Sequence, residues 1–481
     1  MGFAGDLAGE ASSIIFRFAE RIISWLMSAF WRVLRPRKED PRKAAARVTL
    51  AARNPPVNRD VISVERRGVF FGTQGNSQHN FYVVKPEGLD GHVLVVGGPG
   101  TGKSSCVAIP TLRHWKGSVF AVDIKGELYA NTRGYRKNIK VFDPQNPKSQ
   151  FVYDPYVFLK ESRNIAQEAR AIAQAIIPLP PNAREPFWVE NAQIILMGAI
   201  LHYYDAGLSF IETLRKIKSY SPQALIKIVA NSPCEKAQLC TKNFVELDGK
   251  VLAGITAEIN RGITTLVTDD DIVCALTPDN IKEIISPLDL EKGDDIYIKI
   301  PEDLLRQWKP LLILLINQFI TFFERRGESP DNRPILFLLD EFPRLGNIPA
   351  MTDALATLRS KKVTICLVIQ SLAQLKLIYG QDAQEVIADT CGFKAVLGAT
   401  DANTQEYFSK LVGTYEKIRN SQSQNYDPYI GAPSGHSTQT GQDYEKRIIK
   451  PEEFASMRNI VLLYPLPKNF CRVKKQPYYL R

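Results

Sequence analysis

Apolar runs of four to seven residues recur along this 481-residue chain, and most end on glycine, an acid or an amide. Val93 to Val96 runs into Gly97, Ser118 to Val122 into Asp123, and Lys140 to Phe142 into Asp143. Later come Asp295 to Ile300, Ile335 to Leu339 before Asp340, Val363 to Ile369 before Gln370, Lys394 to Leu397 before Gly398, and Ile460 to Leu463, after which Arg472, Lys474 and Lys475 are expected to form a basic tail. Runs without polar alternation are those of strands buried on both faces, as in a parallel sheet. Helical spacing lies between them, for example over Ser105 to His114 and Pro310 to Arg325. The pattern predicts an α/β fold with a mainly parallel central sheet whose ligands gather at the carboxyl edge of the strands.

Three stretches depart from that pattern. From Val69 to Val84, short alternating runs around Gly75-Asn76-Ser77 predict an antiparallel hairpin. Between about 161 and 288 the period becomes helical, as in Asn164 to Ile177 and Pro186 to Tyr204, which predicts an inserted all-α domain. Residues 420–444 are rich in Ser, Gln, Gly and Tyr and are expected to form a mobile polar loop.

The amino-terminal stretch Ser12 to Leu34 is apolar but interrupted by Arg17, Glu20, Arg21 and Arg32. Its uncharged core is about half of what a membrane-spanning helix needs. At helical spacing it is amphipathic, and it carries Trp25 and Trp31. It suits either a membrane surface or a membrane partner's helix, the plain alternative being a packed terminal helix. The basic linker that follows, with Arg35, Arg37, Lys38, Arg42 and Lys43, favours the membrane or partner reading. A net charge of +10 fits a polyanionic partner or an acidic surface. Seven dispersed cysteines without C-x-x-C spacing argue against a disulfide framework or a zinc site.

The chemistry enters at Gly97-Gly98-Pro99-Gly100-Thr101-Gly102-Lys103-Ser104, with Ser105 next, between a predicted strand and a predicted helix. This is the phosphate-loop spacing, in which glycines let backbone N–H groups turn toward a phosphate chain at a helix N-terminus. Lys103 would reach the β- and γ-phosphates, and Ser104 would hold Mg²⁺. Asp340 and Glu341, at the end of an apolar strand, supply the carboxylates such a loop needs: Asp340 for the Mg²⁺ shell, Glu341 for the attacking water. The expected activity is hydrolysis of a nucleoside triphosphate with Mg²⁺.

These motifs, with Asp123-Ile124-Lys125-Gly126-Glu127, Phe142-Asp143-Pro144 and Gln370-Ser371-Leu372-Ala373-Gln374, resemble the type IV coupling proteins of conjugation and secretion systems. The resemblance runs from about Val69 to Tyr479. It implies a RecA-like P-loop NTPase in four parts: an amino-terminal helix and basic linker (1–67), a first nucleotide-binding part (68–160), an all-α substrate-reading insertion (161–288) and a second nucleotide-binding part (289–481). It implies that Gln370 is a sensor linking the γ-phosphate to the DNA-facing surface, and that Arg359 is an arginine finger given to a neighbouring subunit. Lys125 and Glu127 would contact either nucleotide or a neighbour. The implied assembly is a homohexamer that takes single-stranded DNA or a relaxase–DNA complex to the secretion channel, at the cytoplasmic face of the bacterial inner membrane. The family's usual pair of transmembrane helices has no counterpart in the sequence pattern, so attachment would be peripheral or through a membrane subunit. Two rival readings are a chromosome-segregation double-stranded DNA translocase and a docking receptor whose ATPase activity is incidental. The large helical stretch between Lys103 and Asp340 disfavours the first, and the intact set Lys103, Asp340, Glu341 and Arg359 the second.

Overall fold

The computed structural model describes residues 55–74, 81–181, 183–426, 433–465 and 470–480. The amphipathic stretch 12–34, most of the basic linker and the hairpin turn at 75–77 lie outside them.

Among the described residues, twelve strands form one sheet. In chain order they are β1 (Ile62–Ser63), β2 (Val69–Gln74), β3 (Phe81–Lys85), β4 (Val93–Gly97), β5 (Ser118–Asp123), β6 (Ile139–Phe142), β7 (Asp295–Lys299), β8 (Ile335–Leu339), β9 (Val363–Ile369) and β10 (Phe393–Gly398). A separate pair, β11 (Thr414–Tyr426) and β12 (Pro433–Arg447), precedes β13 (Asn459–Leu463) and β14 (Phe470–Lys474). The order across the sheet is β1-β3-β2-β14-β13-β10-β4-β9-β8-β5-β7-β6. From β10 to β6 every pairing is parallel. From β10 back to β1 every pairing is antiparallel.

The continuous apolar runs are explained by cover on both faces. Val96, Val122, Leu339 and Ile369 join one buried cluster, while Val95, Ala121, Leu338 and Val368 join the other. Successive residues of one strand thus enter opposite layers. The second layer is closed by the helix that follows the phosphate loop, through Cys106, Val107, Ile109 and Leu112. The first is closed by a long apolar helix, Lys309–Glu324, and continues into the helical insertion.

That insertion comprises Ile165–Ile176, Pro186–Asp205, Phe210–Ser219, Pro222–Ala230, Glu235–Thr241, Gly249–Thr268 and Asp270–Ala275. Local signals set its helix starts. Asn164 caps the first, Ser209 forms a capping box with Glu212, and Ser221 caps a helix opened by Pro222. Its two ends are clasped together by a short parallel ladder, Phe151–Val152 against Glu283–Ile284. Among the described residues, no helix is long and apolar enough to cross a membrane.

Two stretches differ from expectation. Residues 420–444 fall largely in β11 and β12, which pair as a long antiparallel hairpin rather than an unpaired loop. Ladder hydrogen bonds satisfy the backbone whatever the side chains, so a polar composition alone does not exclude a strand. The supposed basic tail is also a strand: Phe470-Cys471-Arg472-Val473-Lys474 is β14, between β13 and β2. Phe470, Cys471 and Val473 are buried in it.

Candidate active site

The carboxyl ends of β4, β9, β8 and β5 lie side by side, so the residues that follow these strands share one edge. After β4 the chain turns through Gly98-Pro99-Gly100, with Gly100 and Gly102 at φ values of 71° and 98°, a region open mainly to glycine. Thr101 Oγ1 donates to Gly98 O at 2.8 Å and closes the loop on itself. A Cβ on Gly97 would stand 2.3 Å from that hydroxyl, which leaves only glycine room there. The following helix opens as a π-helical turn, Lys103–Ala108, in which Ile109 N–H reaches back to Ser104 O. Such wide turns are rare and are often found at functional sites.

Lys103 is buried, and its Nζ donates to Gly97 O at 2.7 Å and Gly98 O at 3.3 Å. Burial lowers its pKa, while Glu341 and Asp340 act in the opposite sense. Ser104 and Ser105 are half-buried in the first turn.

Asp340 and Glu341 face this loop from the end of β8 and are only 2% and 4% exposed. Burial first, and then the charge of Glu341, push the Asp340 carboxyl up to about 7 despite Lys125 and Lys103. A carboxylate so short of positive charge is chemically suited to a hard divalent cation, and Ser104 supplies the matching hydroxyl oxygen. Glu341 occupies the left-handed region, at φ 49° and ψ 39°, a conformation that costs a residue with a Cβ about 1–2 kcal/mol. Its Oε2 accepts from Gln370 Nε2 at 2.9 Å, and its Oε1 lies 3.6 Å from Lys125 Nζ. Lys125, to which the motifs assign no chemistry, therefore holds the carboxylate from the β5 side.

Arg359 is not brought to these groups. It is exposed in a 3₁₀ turn, Leu358–Lys361, ahead of β9, whereas the phosphate loop lies beyond the far end of the neighbouring β4. Seven strand residues, roughly 20 Å at the usual rise, separate the two edges. Its charge bears instead on His92, just before β4. Sequence reasoning also missed Lys475, whose Nζ donates to the phosphate-loop carbonyl of Thr101 at 3.1 Å. No local spacing signals a contact made 374 residues away.

A family model, the type IV secretion-system coupling protein DNA-binding domain, matches residues 84–475. The chain belongs to this coupling-protein family. Among its relatives is the protein VirD4 of Agrobacterium fabrum (strain C58 / ATCC 33970), 28% identical over 435 residues, covering 86% of this chain and 62% of that protein. Another is the conjugal transfer protein TraG of Escherichia coli, 23% identical over 430 residues, covering 81% of this chain and 65% of the relative. This coupling-protein chain thus spans less than two thirds of the length of both. The plasmid coupling protein TrwB in complex with the ATP analogue ADPNP has a similar fold, with a TM-score of 0.64 at 17% identity over 81% of this chain and 86% of that one. TrwB in complex with ADP and Mg²⁺ is similar at a TM-score of 0.58 and 18% identity, over 81% and 86% of the two chains.

Proposed function

We propose that this chain is the ATP-hydrolysing motor of a type IV coupling protein, one that forms a homohexameric ring and drives single-stranded DNA, or a relaxase–DNA complex, toward a secretion channel. The observation that carries the reading is the junction of Lys103, Glu341 and Gln370 on adjacent strand ends, in a family member with a large helical insertion between the two halves of its site. ATP and Mg²⁺ fit this site by the chemistry of its donors. They are also the ligand types of the two TrwB complexes, one with an ATP analogue and one with ADP and Mg²⁺.

The work of each residue follows from its position. The backbone of Gly98 to Ser105 would cradle the phosphates, and Lys103 would exchange the carbonyls of Gly97 and Gly98 for the β- and γ-oxygens. Ser104 and Asp340 would hold Mg²⁺, which supplies charge neutralisation at the transferred phosphoryl group. Glu341, steered by Gln370 and Lys125, would orient the attacking water. Arg359 would complete the site of an adjoining subunit. The helical insertion would read the substrate. Attachment at the cytoplasmic face of the inner membrane would be peripheral or through a membrane subunit, by way of the amino-terminal stretch.

The test is the ATPase rate with and without single-stranded DNA over a protein-concentration series. A rate that rises with both supports the ring motor, and DNA stimulation should weaken steeply with salt. A rate flat in both variables points to the docking receptor instead.

A further inference from the structure

Lys475 lies one residue beyond β14, and its ammonium group is met by three backbone carbonyls. Nζ donates to Thr101 O at 3.1 Å, Leu397 O at 2.9 Å and Met457 O at 2.9 Å. An ammonium has three donors, so the set is complete. The three carbonyls come from the phosphate loop, from β10 and from the turn before β13. The same segment is fastened further along: Tyr478 N–H donates to Ser105 O at 2.9 Å, and its hydroxyl bonds Asn131 Oδ1 at 2.9 Å. The Arg113 guanidinium lies between the rings of Tyr135 and Tyr478, 4.3 and 4.5 Å from their centres.

The bond to Thr101 has a geometric consequence. In a trans peptide the C=O and the following N–H point in opposite directions, and there is no cis bond among the described residues. Holding Thr101 O against Lys475 therefore turns Gly102 N–H away from the carboxy-terminal segment. Glycine at 102 makes a flip of this peptide plane cheap, because its φ is one of the two torsions that such a flip changes and glycine tolerates either sign of φ. A flipped plane would offer phosphate a carbonyl oxygen in place of a donor.

We propose that Lys475 is a positioning residue for the phosphate loop, one that pins the Thr101–Gly102 peptide so that nucleotide affinity depends on docking of segment 475–479. The proposal rests on the nucleotide reading given above. A cavity of about 410 Å³ between this segment and the loop, bordered by Gly100, Ser105, Met457 and Tyr479, leaves the contact reachable from outside. Displacement of the segment would loosen the grip on phosphate without touching Lys103, Asp340 or Glu341.

The experiment compares Lys475→Met, and Lys475→Gln, which keeps two N–H donors, with Val473→Ala, which removes buried contacts from the adjoining strand β14 without touching the loop. ATP turnover, ATP and tripolyphosphate binding by calorimetry, and Tm are measured for each. For Lys475→Met the expected result is a KM for ATP raised about tenfold, kcat within about twofold, and tripolyphosphate affinity reduced by the same factor as ATP. Lys475→Gln should fall between it and wild type, and Val473→Ala should lose Tm with its KM intact. Wild-type affinities in both lysine variants, with only Tm lowered, would overturn the proposal. Failure of the wild-type chain to bind either ATP or tripolyphosphate would instead overturn the nucleotide reading on which it rests.

Discussion

Gln370 Nε2 donates to Glu341 Oε2 at 2.9 Å, tying the carboxyl ends of β9 and β8 together through their side chains. Glu341 sits in the left-handed region, so the direction of its carboxylate is set by the fold and then by its partners. Gln370 holds one oxygen, and Lys125 lies 3.6 Å from the other. A shift of β9 relative to β8 would therefore re-aim the Glu341 carboxylate, and on the proposed reading this bond would link DNA-side motion to hydrolysis.

Removing the amide while keeping the strand tests that link. Gln370→Ala is expected to lower kcat roughly 10–100-fold with KM for ATP within about twofold, the pattern of a lost transition-state interaction. Equal losses in binding and turnover, measured by steady-state ATPase assay and calorimetry, would make Gln370 a structural amide.

Much of this architecture was legible because β4, β5, β8 and β9 are covered on both faces, which writes each as an unbroken apolar run ending at the site. The phosphate loop is legible because its glycines and Lys103 are contiguous. What was not legible depends on partners distant in the chain. Arg472 and Lys474 disguised β14 as a tail, since in this antiparallel part of the sheet only Phe470, Cys471 and Val473 are buried to mark it. The sequence of β11 and β12 shows no alternation of apolar and polar residues to signal pairing. The Lys125–Glu341 contact arises from the meeting of β5 and β8, which are separated in sequence by the helical insertion.

Asp340 gives a pH signature. Its folded pKa, pushed up to about 7, lies above the ordinary aspartate value of 3.8, so the folded chain binds this proton more tightly than the unfolded one. The resulting stability is full below the unfolded pKa and is lost as pH rises through the folded value. Asp340→Asn stays neutral throughout. Its Tm, taken relative to wild type in the absence of Mg²⁺, should rise between about pH 4 and 7 and level off above. A difference independent of pH would mean that the carboxyl is not held neutral by its surroundings.

Lys103 separates stability from function. Burial lowers its pKa, so the charged form is held at a cost that an apolar side chain of similar length does not bear. Lys103→Met should match or exceed the wild-type Tm at pH 7 while losing ATP affinity by roughly 100-fold, about 2.7 kcal/mol. A variant that still binds ATP as wild type does would remove Lys103 from the site.

The position of Arg359 makes a subunit-mixing test decisive. It is exposed at the amino edge of the sheet, while Lys103 follows the carboxyl end of β4, so one chain cannot bring both to the same phosphate. Arg359→Ala alone and Lys103→Met alone should each lack DNA-stimulated turnover, the first by a factor of roughly 10³ or more if the arginine acts as a finger. In a mixture, an intact loop on an Arg359→Ala subunit can meet an intact Arg359 on a Lys103→Met neighbour. At equal amounts in a head-to-tail ring, about one interface in four is then complete. Turnover should return on mixing to a fraction of that order and vanish when either partner carries both substitutions. No recovery on mixing, with both proteins folded and assembling, would leave Arg359 as a surface cation.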